Sequence, residues 1–181
     1  MRELILISGG ARSGKSHYAV ELAKRRGTQV AFLATGAPSD AEMKKRIEQH
    51  QMARPRHWKL IEESRDPAAV LPALQGQYEV VVIDCVGLLI SNLLADQRND
   101  EEIERTLKQL LDTIRATDVT TIIVSNEVGS GVVPMHALAR RFRDLLGLSN
   151  QMIAREADTV IWMQMGLPVR IKDPANHAAT E

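Results

Sequence analysis

The chain has 181 residues, which is enough for one well-buried core and too few for two ordinary domains. Lys plus Arg and Asp plus Glu number 23 each and aromatic residues make up 3%, so the composition argues against a nucleic-acid partner or an anionic membrane surface. No segment approaches the roughly 18 uninterrupted apolar residues of a membrane span, and a single cysteine together with a start that lacks a leader pattern favours a cytoplasmic protein.

The strongest motif lies at the start of the chain. Residues 9–16, GGARSGKS, match the P-loop pattern G-x-x-x-x-G-K-S between an apolar strand at residues 4–7 and a helix that begins near Lys15. The glycines let successive backbone N–H groups surround a phosphate chain, and the helix adds the positive end of its dipole. We expect Lys15 to reach the outer phosphates and the Ser16 hydroxyl to bind Mg²⁺. The predicted phosphate-loop residues are Gly9, Gly10, Ala11, Arg12, Ser13, Gly14, Lys15 and Ser16.

The following segments alternate between buried strands and helices. An apolar strand is predicted at residues 29–35, and a helix at residues 39–53 opens with the capping-box spacing of Ser39 and Glu42 and is ended by Pro55. A short strand at residues 57–61 and a short helix at residues 66–74 come next. Residues 78–84, YEVVVID, form a strand that ends in Asp84, as in the Walker B pattern. Asp84 and Ser16 are therefore the predicted magnesium ligands.

The second half of the chain continues this alternation. Helices are predicted at residues 86–94 and 100–114, and a strand at residues 119–125 leads into a polar loop at residues 126–131. A functional loop is expected where a parallel strand ends, although Asn126 and Glu127 also suit a simple turn. Helices at residues 134–148 and 150–156 precede strands at residues 159–164 and 169–172, whose short link permits only a hairpin. The pattern predicts one α/β domain at residues 1–173, with a mostly parallel sheet, an antiparallel C-terminal hairpin and a flexible tail at residues 174–181.

A second cluster of chemical groups lies on the helix predicted at residues 39–53. Arg46, His50 and Arg54 are spaced four residues apart, so they share one helix face. Two guanidinium groups beside an imidazole provide a place for phosphate, and they oppose protonation of His50. A neutral imidazole next to a bound triphosphate can attack phosphorus and form a covalent intermediate. The same spacing also fits a surface helix that carries ordinary charges and a solvated histidine.

Several strings resemble one enzyme family over nearly the whole chain. GGARSGKS, the pattern R-I-x-x-H-x-x-x-R-P-x-x-W at residues 46–58 and N-E-V-G-x-G-x-V-P at residues 126–134 look like the bifunctional adenosylcobinamide kinases and adenosylcobinamide-phosphate guanylyltransferases, as do ARRFRDLLGLSNQ and ADTVIWMQMGLPVRIK. The resemblance implies a RecA-like P-loop fold and a homo-oligomer, in this family a trimer. It also implies phosphorylation of adenosylcobinamide with ATP or GTP, followed by transfer of GMP from GTP to the product through a GMP-histidine intermediate. It places that histidine at His50.

The same resemblance assigns further nucleotide contacts, one residue at a time. It implies one contact after the second strand, a guanine-nucleotide contact after the histidine, and two acidic contacts in the nucleotide and magnesium site. These residues are Ala34, Thr35 and Gly36, then Gln51, Met52, Ala53 and Arg54, and finally Glu62 and Asp84.

Two other functions remain open from the residues alone. One is a plain small-molecule kinase that has the P-loop and lacks the histidine route. The other is a regulatory or assembly ATPase that transfers no group to a substrate. Against the ATPase, Cys85 follows Asp84 where many such proteins have a water-activating glutamate, and no arginine stands out as a finger for a neighbouring subunit.

Overall fold

The computed structural model of the chain describes residues 2–37 and 55–173. Within these residues strands and helices alternate. The strands are β1 (Leu4–Gly9), β2 (Val30–Ala34), β3 (Lys59–Glu62), β4 (Val80–Asp84), β5 (Thr120–Asn126), β6 (Thr159–Gln164) and β7 (Leu167–Lys172). The helices are α1 (Lys15–Arg26), α2 (Pro67–Val70) with a 3₁₀ turn at Leu71–Leu74, α3 (Val86–Ala95), α4 (Asp100–Ala116) and α5 (Ala137–Glu156).

The strands form one sheet in the order β3-β2-β4-β5-β1-β6-β7. All neighbouring strands are parallel except β6 and β7, which pair antiparallel. The strand that ends in Asp84, β4, is separated from the P-loop strand β1 by β5. The predicted fold, a mostly parallel α/β sheet with an antiparallel C-terminal hairpin, is confirmed.

Helices cover both faces of the sheet, and strand alternation sends side chains to two separate cores. The face that packs against α1 is called the α1 face. Its cluster includes Ile5, Ile7, Phe32, Val82, Ile122 and Val124 of the strands with Ala19 and Ala23 of the helix. The opposite face packs against α3, α4 and α5 and includes Leu4, Leu6, Leu33, Ile83, Ile123, Leu89, Ile103, Leu107 and Ile153. Because every central strand is buried on both faces, the sequence shows apolar runs instead of alternation.

The prediction of two helices at residues 134–148 and 150–156 is wrong, because α5 is continuous from Ala137 to Glu156. The start is later because the Pro134 and Met135 carbonyls accept hydrogen bonds from the Arg140 guanidinium instead of from helical amides. The predicted break does not form, because Asn150 within the helix binds the end of β5; the Ser149 hydroxyl bonds back to the Leu145 carbonyl at 2.6 Å. In the described residues no helix combines the length and the apolar character that a membrane crossing requires.

Two strand boundaries also differ from the prediction. The hairpin turns at Met165 and Gly166, which have φ values of 52° and 81°, so β7 begins at Leu167. β3 covers residues 59–62 instead of 57–61, which makes Glu62 the last residue of a strand.

Candidate active site

The P-loop connects β1 to α1, and the hydrogen bonds of the helix start from the last residue of the loop. Gly14, just before the helix, has a φ of 91°, a left-handed conformation that glycine adopts without strain. Its carbonyl accepts the Tyr18 amide at 2.9 Å. The Lys15 side chain is only 8% exposed, and its Nζ donates to the Gly10 carbonyl at 3.0 Å. The ammonium group is thus held beside the first backbone amides of α1, which favour anions.

The hairpin of β6 and β7 contacts the P-loop and fixes its shape. A Cβ on Gly9 would lie 2.6 Å from the Met163 carbonyl oxygen and 2.7 Å from Ser13 Oγ, so only glycine fits there. The Gly166 amide, in the turn between β6 and β7, donates to the Ser13 carbonyl at 3.1 Å. The shape of the loop therefore depends on residues more than 140 positions away in the chain.

The acidic residues of the predicted site end neighbouring strands. In the sheet register Ala34 of β2 pairs with Glu62 of β3 and with Asp84 of β4, so the three residues form one row at the carboxyl edge. Ala34 packs in the α1-face cluster, and its partners in the row project from the same face, on which Lys15 begins α1. Because strands lie about 4.8 Å apart, Asp84 and the end of β1 are separated by about 10 Å, a distance that a nucleotide phosphate chain can bridge.

Thr35 follows β2, and its polar groups are hydrogen-bonded to protein. The hydroxyl accepts from the Cys85 amide and donates to the Cys85 carbonyl, both at 2.7 Å. Its amide donates to the Asp84 carbonyl at 3.1 Å, and its carbonyl accepts Asn92 Nδ2, which also reaches the Ser64 carbonyl. The nucleotide contact that the resemblance implies at Thr35 stays a prediction, and the Thr35 side chain fixes the backbone next to Asp84.

Replacing Thr35 with valine should lower the free energy of unfolding by about 1–3 kcal/mol. The valine has nearly the same shape, but it leaves the buried Cys85 amide without a partner, whereas the Cys85 carbonyl keeps the hydrogen bond from the Leu89 amide at 3.2 Å. Urea unfolding of the variant measures the loss. Thr35→Ser is the matched control because it keeps the hydroxyl and should lose much less. A valine variant as stable as the wild type would contradict this reading of the contact.

Cys85 lies directly after Asp84 and is buried. Burial and the nearby Asp84 carboxylate raise the pKa of its thiol to about 12, while the Lys15 charge acts in the opposite direction. Both charged groups of the site therefore lie near the thiol. Its Sγ donates to Asn126 Oδ1 at 3.3 Å. A thiol that stays protonated is a hydrogen-bond donor, not a nucleophile.

Iodoacetamide should not modify Cys85 in the native protein at pH 8. With a pKa raised from 9.0 to about 12 the thiolate fraction at that pH falls about a thousandfold, and burial also blocks the reagent. Mass spectrometry after alkylation of native and urea-unfolded protein measures the difference. Rapid alkylation of the native chain at the unfolded rate would contradict the burial of this thiol.

The donor set at the strand ends suits Mg²⁺. Ser16 is the second residue of α1, and the half-buried Asp84 ends β4, which gives a hydroxyl and a carboxylate as oxygen donors on the α1 face. Among residues 2–37 and 55–173 no group of three or more His, Cys, Asp or Glu side chains forms a candidate metal site. Magnesium needs few protein ligands, since it keeps several waters and takes substrate phosphate oxygens. The residues present therefore fit Mg²⁺ bound together with a nucleotide.

The loop after β5 is tied to the P-loop. The Glu127 amide donates to the Gly9 carbonyl at 3.0 Å. The Glu127 carboxylate accepts the amides of Gly129 and, at 2.9 Å, Ser130, and the Arg143 guanidinium donates to the Gly129 carbonyl at 2.7 Å. The loop is therefore a hydrogen-bonded turn held against the P-loop, and its part in the site stays a prediction.

The structure brings one group of the predicted site residues to the carboxyl edge of the sheet and describes nothing of the other. The first group is Gly9, Gly10, Ala11, Arg12, Ser13, Gly14, Lys15, Ser16, Ala34, Thr35, Gly36, Glu62 and Asp84. His50, Gln51, Met52, Ala53 and Arg54 lie outside the described residues. Sequence reasoning missed Asn92, which links the loops after β2 and β3. Nothing in its spacing signals that role, because the two loops meet only in the folded chain.

Comparison with known proteins gives the family. A KaiC-like protein of Pyrococcus horikoshii OT3 matches at a TM-score of 0.49 and 14% identity over 88% of this chain and 70% of its own, which assigns no function. The bifunctional adenosylcobalamin biosynthesis protein CobP of Pseudomonas aeruginosa is 41% identical, over 95% of this chain and 98% of its own. The bifunctional adenosylcobalamin biosynthesis protein CobU of Escherichia coli is 36% identical, over 93% of this chain and 99% of its own. The model of one family, described as cobinamide kinase / cobinamide phosphate guanyltransferase, matches residues 5–171. The chain belongs to the cobinamide kinase / cobinamide phosphate guanyltransferase family.

Proposed function

We propose that the chain phosphorylates adenosylcobinamide with ATP or GTP and then transfers GMP from GTP to the product, through a GMP-histidine intermediate on His50. The product, adenosylcobinamide-GDP, serves the assembly of the cobalamin nucleotide loop. Membership of a family described by both activities supports the proposal. The observation that carries it is the placement of Lys15 and the P-loop on the same face and edge of the sheet as Asp84.

In the first reaction the protein positions the nucleotide and stabilises charge. The amides of the P-loop and the first turn of α1 surround the phosphates, and the Lys15 ammonium neutralises charge on the outer phosphates. The Ser13 hydroxyl is buried and has no hydrogen-bond partner among the described residues, so a phosphate oxygen would satisfy it. Ser16 and Asp84 would hold Mg²⁺. Its positive charge would stabilise the negative charge on the phosphoryl group during transfer.

In the second reaction His50 is the nucleophile. Its neutral imidazole nitrogen attacks the α-phosphorus of GTP and pyrophosphate leaves, which gives the covalent adduct. A phosphate oxygen of adenosylcobinamide phosphate then attacks the adduct and releases the histidine. Residues that follow the histidine would hold the guanine nucleotide, namely Gln51, Met52, Ala53 and Arg54. Ala34, Thr35 and Gly36 would contact nucleotide after β2, and Glu62 would be an acidic contact in the nucleotide and magnesium site.

The working protein is proposed to be a homo-oligomer, a trimer as in the resembled family, of single domains that cover residues 1–173. Residues 174–181 would be a flexible tail. The cytoplasm, where ATP and GTP are available and thiols stay reduced, is the proposed location. No nucleic acid is proposed as a partner.

The proposal is tested with GTP labelled at either the γ- or the α-phosphate, in the presence of Mg²⁺. We expect γ-label to pass to adenosylcobinamide, and α-label to appear on the protein in acid-labile form and then move to adenosylcobinamide phosphate. Transfer of γ-label alone would leave a plain kinase. Release of phosphate that does not depend on the acceptor would instead support a regulatory ATPase.

A further inference from the structure

Asn126 ends the strand that separates the two halves of the nucleotide site. β5 lies between β1, which leads into the P-loop, and β4, which ends in Asp84. In the register Asn126 pairs with Gly9, and Val124 pairs with Asp84. Ile122 and Val124 belong to the α1-face cluster, so strand alternation sends the Asn126 side chain to the same face. A carboxamide therefore stands between the phosphate loop and the Asp84 carboxylate.

The orientation of this carboxamide is fixed by residues next to Asp84. The Cys85 thiol donates to Asn126 Oδ1 at 3.3 Å. A Cβ on Gly87 would lie 3.1 Å from the same oxygen, so the small residue at the start of α3 leaves room for the side chain. The backbone is held as well, since Asn150 Nδ2 donates to the Asn126 carbonyl at 2.9 Å and Asn150 Oδ1 accepts the Ser125 hydroxyl at 2.5 Å.

This arrangement leaves the amide nitrogen as the group available for a ligand. The two polar atoms of a carboxamide lie on opposite sides of Cγ, so a bond from Cys85 to Oδ1 turns Nδ2 away from β4 and toward the side of β1. Within residues 2–37 and 55–173 the Nδ2 group donates no hydrogen bond. An oriented neutral donor at this position suits a phosphate oxygen, because it adds a hydrogen bond without competing with the positive charge of Lys15.

We propose that Asn126 is a catalytic residue of phosphoryl transfer, whose Nδ2 donates a hydrogen bond to the γ-phosphate of the bound nucleoside triphosphate. Cys85 and Gly87 are positioning residues that fix the orientation of its carboxamide. This proposal deepens the kinase function proposed above and rests on it. It assigns no part in the guanylyl step, which breaks the bond at the α-phosphorus.

In the transfer itself the acceptor hydroxyl oxygen forms a bond to the γ-phosphorus, and the bond from that phosphorus to the β–γ bridging oxygen breaks. The nucleoside diphosphate leaves, and the hydroxyl proton is released to solvent. Negative charge is spread over the γ-phosphate oxygens during this exchange. A donor fixed before the reaction, as Asn126 is by Cys85, needs no reorganisation when the charge moves.

Asn126→Ala should therefore lower the kcat of adenosylcobinamide phosphorylation about 10²-fold, as removal of one fixed donor does in other enzymes. It should raise the KM for the triphosphate by at most about tenfold, because the same hydrogen bond is already present in the bound ground state. Labelling of the protein by GTP that carries label at its α-phosphate should stay near the wild-type level. Gln109→Ala, which removes an exposed carboxamide on α4, is the matched control and should leave both rates unchanged.

The positioning role is tested with Cys85→Ala and Cys85→Ser. Cys85→Ala should lower the kcat of phosphorylation about tenfold, which is part of the loss expected for Asn126→Ala. Without the thiol donor the Asn126 carboxamide can rotate. The serine keeps a donor and should restore the rate. Loss of folding alone would lower the melting temperature and both reactions together, so melting curves and α-labelling separate that effect.

The two proposals fail in different ways. A wild-type kcat in Asn126→Ala, with the wild-type enzyme active, would overturn the role of Asn126 and leave the kinase function intact. Inactivity of the wild-type enzyme toward adenosylcobinamide would overturn the kinase function. In that event the affinities for ATP and ADP still test the contact, since the alanine should lose about tenfold of the affinity for ATP and none for ADP. An equal loss for both nucleotides would overturn it.

Discussion

Lys15→Ala is expected to reduce phosphoryl transfer by about 10²–10³-fold, and to weaken nucleotide binding as well. The Lys15 side chain is buried at the first turn of α1, where its Nζ donates to the Gly10 carbonyl. In such a partly desolvated position one positive charge interacts with the phosphates far more strongly than it would in water. The rates of adenosylcobinamide phosphorylation and of GTP-dependent labelling measure the two losses.

Lys24→Ala provides the matched control for this experiment. Lys24 lies on the same helix, is exposed and forms an ion pair with Glu21. Its removal takes away the same charge from α1 without touching the P-loop, so both rates should stay at the wild-type level. Equal losses in the Lys15 and Lys24 variants would show that the overall charge of the helix matters, and would remove Lys15 from its proposed role.

His50→Ala is expected to reduce guanylyl transfer by at least about a thousandfold, because a covalent route without its nucleophile has no comparable substitute. Phosphorylation of adenosylcobinamide should continue, since that step relies on the P-loop. The measurement is α-label retained on the protein after a quench without acid, together with GMP found on adenosylcobinamide phosphate.

His57→Ala controls for the loss of any imidazole near the same segment. His57 is exposed and lies just before β3. This variant should label like the wild type. If His50→Ala still transferred GMP at the wild-type rate, or if the His57 variant lost the label instead, the nucleophile would be wrongly assigned.

The architecture could be predicted well because its strongest signals are local. The apolar runs of β1, β4 and β5 are long enough to be central strands, and α4 shows an apolar stripe that the structure buries from Ile103 to Ile114. The helix begins at Asp100, as predicted, and the structure adds a capping box formed by Asn99 and Glu102. Each of these features depends on residues within one element.

The parts that were not predicted depend on contacts between distant segments. The break expected between residues 148 and 150 does not form, because Asn150 binds the end of β5 and so stabilises the continuous helix. Cys85 is buried directly after β4. Its hydrogen bond to Asn126 could not be inferred, because the two residues are 41 positions apart.

The support of the P-loop by the β6–β7 turn affects when the site can form during synthesis. Residues 9–16 leave the ribosome before β5 and β6, which flank β1, and before the Gly166 amide that bonds the Ser13 carbonyl. A nascent chain that has not yet released residue 166 contains the whole phosphate-binding motif but lacks the turn that fixes the shape of the loop. Nucleotide therefore does not guide the earlier stages of folding, and it can stabilise the chain only after the β6–β7 hairpin has been made.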